Sequence, residues 1–263
     1  MMKRTTTILL ALILGACGQQ ADEPTEQAAP VEPDVSIYEA AVANVDRPET
    51  DRERDAGRKP AEILEFFGIA PGMTVLDMFS GGGYYTEILS HAVGSDGHVI
   101  AQTNQAYLGF VGEEFEKRYL GGRLENTEVL MAENNELSLK PGAIDAVMLI
   151  LSFHDLYAAD AENGWPAIDI EKLLAELHGG LKPGGIVGII DHYAAEGAPS
   201  ETGTTTHRID PGIVIDEMTS AGFVLEEQSD ILRNPDDDYE KIVFDPELRG
   251  KTDRFVMRFV KAE

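Results

Sequence analysis

The stretch at residues 74–89, TVLDMFSGGGYYTEIL, predicts a buried strand, a glycine-rich turn and the start of a helix in direct succession. The three consecutive glycines at 81–83 have no side chains, so a ligand can approach the backbone there closely. A helix that begins near Tyr84 presents unpaired N–H groups beside the turn. Asp77, at the end of the strand, is expected to face the same crevice. Together these features predict a turn that binds a nucleotide-like ligand.

The same stretch resembles motif I of the class I S-adenosylmethionine-dependent methyltransferases, in which an acidic residue precedes the pattern x-Gly-x-Gly-x-Gly. Here Asp77 is the acidic residue, Gly81 and Gly83 match two of the glycines, and Phe79 replaces the first glycine. Phenylalanine does not adopt a positive φ cheaply, so we expect the turn to differ locally at Phe79. A glycine-rich turn of this kind also occurs in dinucleotide folds and in plain tight connections, so its context decides its meaning.

The rest of the chain alternates between strand and helix patterns, which predicts an α/β fold with a parallel sheet. The resemblance implies a doubly wound, Rossmann-like sheet of seven strands in a single domain at residues 35–263. After the first strand we predict strands at 97–102, 127–131, 144–151, 186–190, from Phe223 and at 254–260, and helices at 107–119, 170–178 and 211–221. The turn LKPGG at 181–185, before the fifth strand, is a second mark of the same family.

A closer resemblance is to a group of predicted bacterial methyltransferases with a lipoprotein signal peptide. It is carried by GGGYYTE, LKPGG, DHYA, HRID, LRNP and RGKTDRFV, which begin here at Gly81, Leu181, Asp191, His207, Leu232 and Arg249. The resemblance implies S-adenosylmethionine as the cofactor. By family analogy the cofactor-binding residues are Asp77, Phe79, Gly81, Gly82, Gly83, Thr103, Asn104, Glu133 and Asn134. The usual ribose-binding carboxylate falls at about Thr103, where neutral side chains stand instead; hydroxyls and amides also bond a diol.

Polar residues gather where the predicted strands end, which is where open α/β sheets bind ligands. His154 and Asp155 follow strand four, Asp191 and His192 follow strand five, and His207 lies in the next connection. One interpretation is a general base for the methyl acceptor, with His154 as the first choice. A second is a metal site built from the histidines and a carboxylate, and a third is that these side chains only cap helices and tie loops. Our candidate catalytic residues are His154, Asp155, His192 and His207, and we assign no metal ligand from sequence.

The N-terminus, MMKRTTTILLALILGACG, has a basic start, an apolar run at 8–14 and small residues before Cys17. This pattern predicts a signal peptide at 1–16, which is too short to span a bilayer as a stable helix. The LGAC tetrad resembles the lipobox of bacterial lipoproteins, which implies cleavage before Cys17, lipid attachment to it and a membrane anchor. The alternative is a plain secretory signal with an incidental cysteine. By analogy with lipoprotein sorting, Gly18 favours the outer membrane, on its periplasmic side.

Residues 17–34, rich in Gln, Glu, Ala and Pro, are predicted to be the lipidated cysteine and a flexible tether. Cys17 is the only cysteine, so the domain has no disulfide and no cysteine nucleophile or cysteine-based metal site. The formal net charge of −26 argues against nucleic acid as a partner, because binding it requires Lys and Arg to neutralise phosphates. We therefore expect a small-molecule substrate. The sequence does not predict the oligomeric state.

Export and the cofactor motif point to different compartments, because S-adenosylmethionine is made in the cytosol. One hypothesis is a methyltransferase that acts on a small molecule at the cell envelope. The other is a catalytically diverged envelope protein of the same fold, which binds another ligand, or a metal through the rim histidines.

Overall fold

The computed structural model describes residues 35–262, so the predicted signal peptide, Cys17 and the tether lie outside the described residues. The strands are β1 (Thr74–Met78), β2 (His98–Thr103), β3 (Thr127–Met131), β4 (Ile144–Ile150), β5 (Leu181–His192), β6 (Phe223–Ser229) and β7 (Arg254–Lys261). The helices are α1 (Ile37–Val42), α2 (Glu49–Arg58), α3 (Pro60–Phe67), α4 (Tyr84–Val93), α5 (Gln105–Tyr119), α6 (Ile170–Gly180), α7 (Thr202–Thr205) and α8 (Pro211–Ser220). No helix within residues 35–262 is both long and apolar enough to cross a membrane.

The strands form one seven-stranded sheet in the order β3-β2-β1-β4-β5-β7-β6, which confirms the predicted α/β fold. Strands β1 to β5 run parallel, with helices in the crossovers. At one edge the sheet departs from parallel order, because β7 is antiparallel to both β5 and β6. No helix lies between β6 and β7, so the chain returns beside β6 in the opposite direction.

The core lies on both faces of the sheet, as the apolar sequence of β4 predicts. Val147 and Leu149 pack in one hydrophobic cluster, while Ala146 and Met148 pack in the other. Successive side chains of a strand point to opposite faces, so a strand covered on both sides is apolar throughout. This central strand carries the residues that follow it to the carboxyl edge of the sheet.

One predicted boundary differs from the structure. The predicted turn at 181–185 lies inside β5, where Leu181 pairs with Ile144 and Ile186 pairs with Ala146, so the residues between them bulge out of the ladder. Gly184 in this bulge has a φ of 72°, which glycine adopts at no steric cost. The helices α1, α2 and α3 precede β1.

Candidate active site

The glycine-rich turn begins at Phe79, which adopts a positive φ although such a conformation is costly for a residue with a side chain. Phe79 has a φ of 52°, a conformation that costs roughly 1–2 kcal/mol for a residue with a side chain. Its ring is buried and packs on Tyr107, with the ring centres 5.0 Å apart. Its N–H donates to Oε1 of Gln102 at 2.9 Å. Burial of the ring and this hydrogen bond offset the backbone strain.

Helix α5 covers the turn, and the glycines make room for it. Nε of Arg118 donates to the carbonyl oxygen of Gly82 at 2.9 Å. A Cβ atom on Gly82 would lie 2.6 Å from Oε2 of Glu114, and one on Gly83 would lie 2.7 Å from the hydroxyl oxygen of Tyr119. The close approach that the sequence predicts at this turn is therefore made, in this structure, by α5.

Asp77 lies beneath the turn and is buried, with 3% of its surface exposed. Oγ1 of Thr86, in α4, donates to its Oδ2 at 2.5 Å. Burial raises the pKa of Asp77 to about 7, although the hydrogen bonds from Thr86 oppose the rise. Its carboxyl group bonds to α4, and Asp77 is not among the residues that line the large cavity described below.

The residues after β2 and β3 meet, as the predicted ribose and adenine positions require. Oδ1 of Asn104 accepts the N–H of Tyr107 and caps α5, while its Nδ2 donates to Oδ1 of Asn134 at 2.7 Å. Three buried polar atoms here have no hydrogen-bond partner within residues 35–262: Oγ1 of Thr103, Oε2 of Glu133 and Nδ2 of Asn134. Leaving such a group unpaired costs roughly 1–3 kcal/mol, so each of the three atoms calls for a partner such as a bound ligand or an ordered water.

The candidate catalytic residues converge where β4 and β5 end. Nδ1 of His154 lies 2.8 Å from Oδ1 of Asp191, and the backbone N–H of His154 donates to Oδ2 of Asp191 at 2.9 Å. Nε2 of His154 lies 3.2 Å from Nδ1 of His207 and 3.4 Å from Oδ1 of Asp155. The hydroxyl group of Tyr107 donates to the other oxygen of Asp155. His154 is thus held from one side and meets two potential ligand or proton-transfer groups on the other.

The charges around the rim shift the pKa values of the three histidines in different directions. Burial lowers the pKa of His154, but the carboxylates of Asp191 and Asp155 outweigh it and raise that pKa to about 9. Burial and the charge on His154 lower the pKa of His207. Burial and the neighbouring positive charges, that of His154 first, hold the pKa of His192 well below its usual value. Of the three imidazoles, that of His154 is therefore the one whose protonated form is stabilised, because it lies between two carboxylates.

A cavity of about 780 Å³ opens at this edge of the sheet. It reaches the glycine turn at Gly81 and is partly lined by aromatic rings, with the centre of the Trp165 ring 5.5 Å from that of Tyr107 and 5.6 Å from that of Phe110. All four candidate catalytic residues line it: His154, Asp155, His192 and His207. Of the predicted cofactor-binding residues only Gly81 lines it.

Two lining residues were missed in the sequence. Arg58, at the end of α2, places its guanidinium group 4.6 Å from the centre of the Tyr84 ring and has no carboxylate partner within the described residues. Phe244, in the connection from β6 to β7, packs on His207 with ring centres 4.8 Å apart.

A family model for protein-L-isoaspartate(D-aspartate) O-methyltransferase matches residues 35–111, which include the glycine turn and the strand before it. No curated protein matches the chain at a significant level.

Solved structures with the same fold cover most of the chain. A SAM-dependent methyltransferase from Aquifex aeolicus is 26% identical, covers 82% of this chain and 99% of its own, and has a TM-score of 0.55. A putative methyltransferase from Haloferax volcanii, solved in complex with the activator Trm112, is 18% identical, with 86% and 98% coverage and a TM-score of 0.55. Geranyl diphosphate C-methyltransferase from Streptomyces coelicolor, solved with Mg²⁺, geranyl diphosphate and S-adenosyl-L-homocysteine, is 15% identical, with 85% and 88% coverage and a TM-score of 0.55.

Proposed function

We propose that the chain is a class I S-adenosylmethionine-dependent methyltransferase, which transfers a methyl group from S-adenosylmethionine to a small molecule. The observation that carries the proposal is the set of unpaired polar atoms on Thr103, Glu133 and Asn134, at the predicted nucleoside positions. These atoms supply a hydroxyl, a carboxylate oxygen and an amide N–H, which suit a ribose diol and an adenine ring. The residues present therefore fit the cofactor.

The remaining cofactor contacts are assigned by family analogy. We assign the methionine end of the cofactor to the glycine-rich turn, with the backbone of Gly81 to Gly83 and the carboxyl group of Asp77. Asn104 fixes the position of Asn134 by donating a hydrogen bond to its Oδ1. The unpaired guanidinium group of Arg58 suits the cofactor carboxylate. When bound, S-adenosylmethionine supplies a methyl group already activated on a sulfonium. The protein then needs mainly to align the acceptor and to promote the loss of its proton.

We assign the second of these tasks, promoting the loss of the acceptor's proton, to the side chains at the ends of β4 and β5. Asp191 fixes the orientation of His154, whose Nε2 meets His207 and Asp155 at the cavity wall, and His192 lies beside them. We propose that these residues hold the nucleophilic atom of the acceptor and promote its ionisation. No nucleophile of the protein itself is required.

A small acceptor fits the cavity better than a macromolecule. Its volume of about 780 Å³ lies in the range of small-molecule sites, roughly 300–1,000 Å³. Its wall is largely aromatic, through Tyr107, Phe110, Trp165 and Phe244, which favours an acceptor with an apolar body. The net charge of −26 repels nucleic acid.

The first test is calorimetric titration of the purified chain with S-adenosylmethionine and S-adenosylhomocysteine. We expect one equivalent of each to bind with micromolar affinity. A Thr103→Val variant is expected to bind about tenfold more weakly, because one hydrogen bond of about 1.4 kcal/mol is lost. Its free energy of unfolding without ligand is expected to be equal or higher, since Val removes an unpaired buried hydroxyl.

The matched control is Thr127→Val. Thr127 also has a hydroxyl without a partner in the described chain, but it begins β3 at the opposite edge of the sheet. Its loss is expected to leave the cofactor affinity unchanged. If the wild-type chain binds neither compound, the diverged-protein hypothesis takes the place of methyl transfer. If the two variants lose affinity equally, the nucleoside assignment is wrong.

We propose that the protein works at the cell envelope, anchored by lipid on Cys17, as its N-terminal sequence indicates. In cells fed a labelled fatty acid, the wild-type chain is expected to carry the label. A Cys17→Ala chain, which has no other cysteine, is expected to carry none. An unlabelled wild-type chain of mature length would instead indicate a plain secretory signal.

A further inference from the structure

Three side-chain atoms at the rim form a triangle with the dimensions of a metal site. Nε2 of His154 lies 3.2 Å from Nδ1 of His207 and 3.4 Å from Oδ1 of Asp155, and the last two atoms are 3.9 Å apart. A point equidistant from the three, in their plane, lies about 2.1 Å from each, which is the bond length of zinc to histidine nitrogen and carboxylate oxygen. The distances between the three atoms therefore match those between ligands of a single ion.

The groups behind these ligands are also those that metal sites use. A histidine that binds a metal commonly donates its other ring N–H to a carboxylate, which fixes the ring and its tautomer. Nδ1 of His154 has such a partner in Asp191, at 2.8 Å, and Asp191 is fully buried. The ligating carboxylate is commonly hydrogen-bonded too, and Tyr107 donates to the free oxygen of Asp155.

The backbone holds His207 in place at some cost. Its φ of 55° lies in the left-handed region, which few residues with side chains adopt. The next residue, Arg208, is fully buried and anchors this segment by an ion pair with Asp237 at 2.9 Å. Strained conformations that the surroundings maintain cluster at functional sites.

The site opens onto the cavity, so an ion held by the three ligands would keep coordination positions that face it. His154, Asp155 and His207 all line the cavity, and the remaining positions of an ion would face the space assigned to the acceptor. Two imidazoles and one carboxylate suit first-row transition ions rather than Mg²⁺, which prefers oxygen ligands.

We propose that His154, Asp155 and His207 bind one divalent transition-metal ion, whose open positions take an ionisable oxygen or sulfur atom of the methyl acceptor. The second part rests on the proposed function. Coordination lowers the pKa of a bound hydroxyl or thiol group, and its proton passes to water in the cavity. The methyl acceptor is therefore a molecule that carries a metal-binding hydroxyl or thiol group.

The test uses the purified full chain without a polyhistidine tag, stripped of metal and titrated with Co²⁺, Zn²⁺ or Mg²⁺. We expect one equivalent of Co²⁺ or Zn²⁺ to bind, with no binding of Mg²⁺ at the same concentration. The visible spectrum of the Co²⁺ protein reports nitrogen and oxygen ligation directly. Acetohydroxamate, an oxygen chelator, is expected to change that spectrum by filling open positions.

Variants locate the ion. His207→Asn keeps a residue that tolerates the left-handed backbone, and Asp155→Asn keeps the side-chain shape. Each is expected to lower the affinity for Co²⁺ at least 100-fold, while Asp191→Asn lowers it about 10–100-fold by releasing the His154 ring. His98→Ala is the control, because His98 lies near Glu128, 3.4 Å away, at the far end of β2. It is expected to bind Co²⁺ as tightly as the wild type.

Three results would overturn the inference. The first is no binding of Co²⁺ or Zn²⁺ by folded wild-type protein, and the second is an affinity for Co²⁺ in the His207→Asn and Asp155→Asn variants that equals that of the wild type. The third is a Co²⁺ spectrum that acetohydroxamate does not change. The first two reject the site, and the third rejects its link to the acceptor. Metal binding is measured without cofactor, and cofactor binding is measured without metal. A failure of the metal site is therefore distinct from a failure of methyl transfer.

Discussion

An Asp237→Asn variant is expected to lose about 3–5 kcal/mol of unfolding free energy, because it leaves the buried charge of Arg208 without its partner. Both side chains are fully buried, and Nη2 of Arg208 donates to Oδ1 of Asp237 at 2.9 Å. Oδ2 of Asp237 accepts the N–H of Asp253 at 2.8 Å. In the variant, an amide NH₂ group that faces either of these donors loses a hydrogen bond as well.

The consequence reaches the rim, because Arg208 follows His207 directly. Its Nη1 donates to the carbonyl oxygen of Tyr193 and its Nε to that of Lys241, so it joins β5 to the long connection after β6. Loosening Arg208 is therefore expected to weaken the binding of Co²⁺ as well as the fold.

Denaturant unfolding of the two proteins measures the stability change, and the Tm is expected to fall by roughly 10 °C. The control is Asp236→Asn, which makes the same chemical change one residue earlier at an exposed position. It is expected to change stability by less than about 0.5 kcal/mol. An equally small change in Asp237→Asn would mean that Arg208 is not charged, or not buried, in the folded protein.

The second large effect is a pH-dependent gain of stability in Asp77→Asn. Burial raises the pKa of Asp77 in the folded protein to about 7, from 3.8. A raised pKa contributes stability that is complete below pH 3.8 and is lost as the pH rises through 7. The wild type therefore loses roughly 1.4 kcal/mol per pH unit between these values, about 4 kcal/mol in all, which the neutral amide does not lose.

Urea unfolding at pH 4, 6 and 8 tests this prediction. The two proteins are expected to be about equally stable at pH 4, and the variant is expected to be more stable by a few kcal/mol at pH 8. Asp236→Asn again serves as the control, with a difference that stays below about 0.5 kcal/mol at each pH. A gap that is the same at pH 4 and pH 8 would contradict the raised pKa of Asp77.

The same variant bears on the cofactor. The carboxyl group of Asp77 accepts a hydrogen bond from Thr86, in α4, and Asp77 does not line the cavity. If it also binds the cofactor through its charge, as the family resemblance implies, Asp77→Asn is expected to lower the affinity for S-adenosylmethionine while it raises stability. Unchanged affinity would restrict Asp77 to a structural part in the turn.

The sequence by itself determined the sheet and the turn. The apolar run of β4 and the segment TVLDMFSGGGYYTEIL are local patterns of period, glycine and helix start, so they are legible without tertiary contacts. The parallel order then places whatever follows β4 and β5 at one edge, which is why His154, His192 and His207 were predicted to share a rim.

Only the tertiary structure decided what those residues meet. Asp191, in β5, holds His154, which follows the neighbouring strand β4. His207 lies close to Asp155 although it belongs to a connection much later in the chain. No local period encodes such distances. Phe79 adopts a positive φ against its own preference, because the ring of Tyr107 and the side chain of Gln102 hold it there. Packing outweighed local propensity at this residue because burial of its ring gains more free energy than its backbone strain costs.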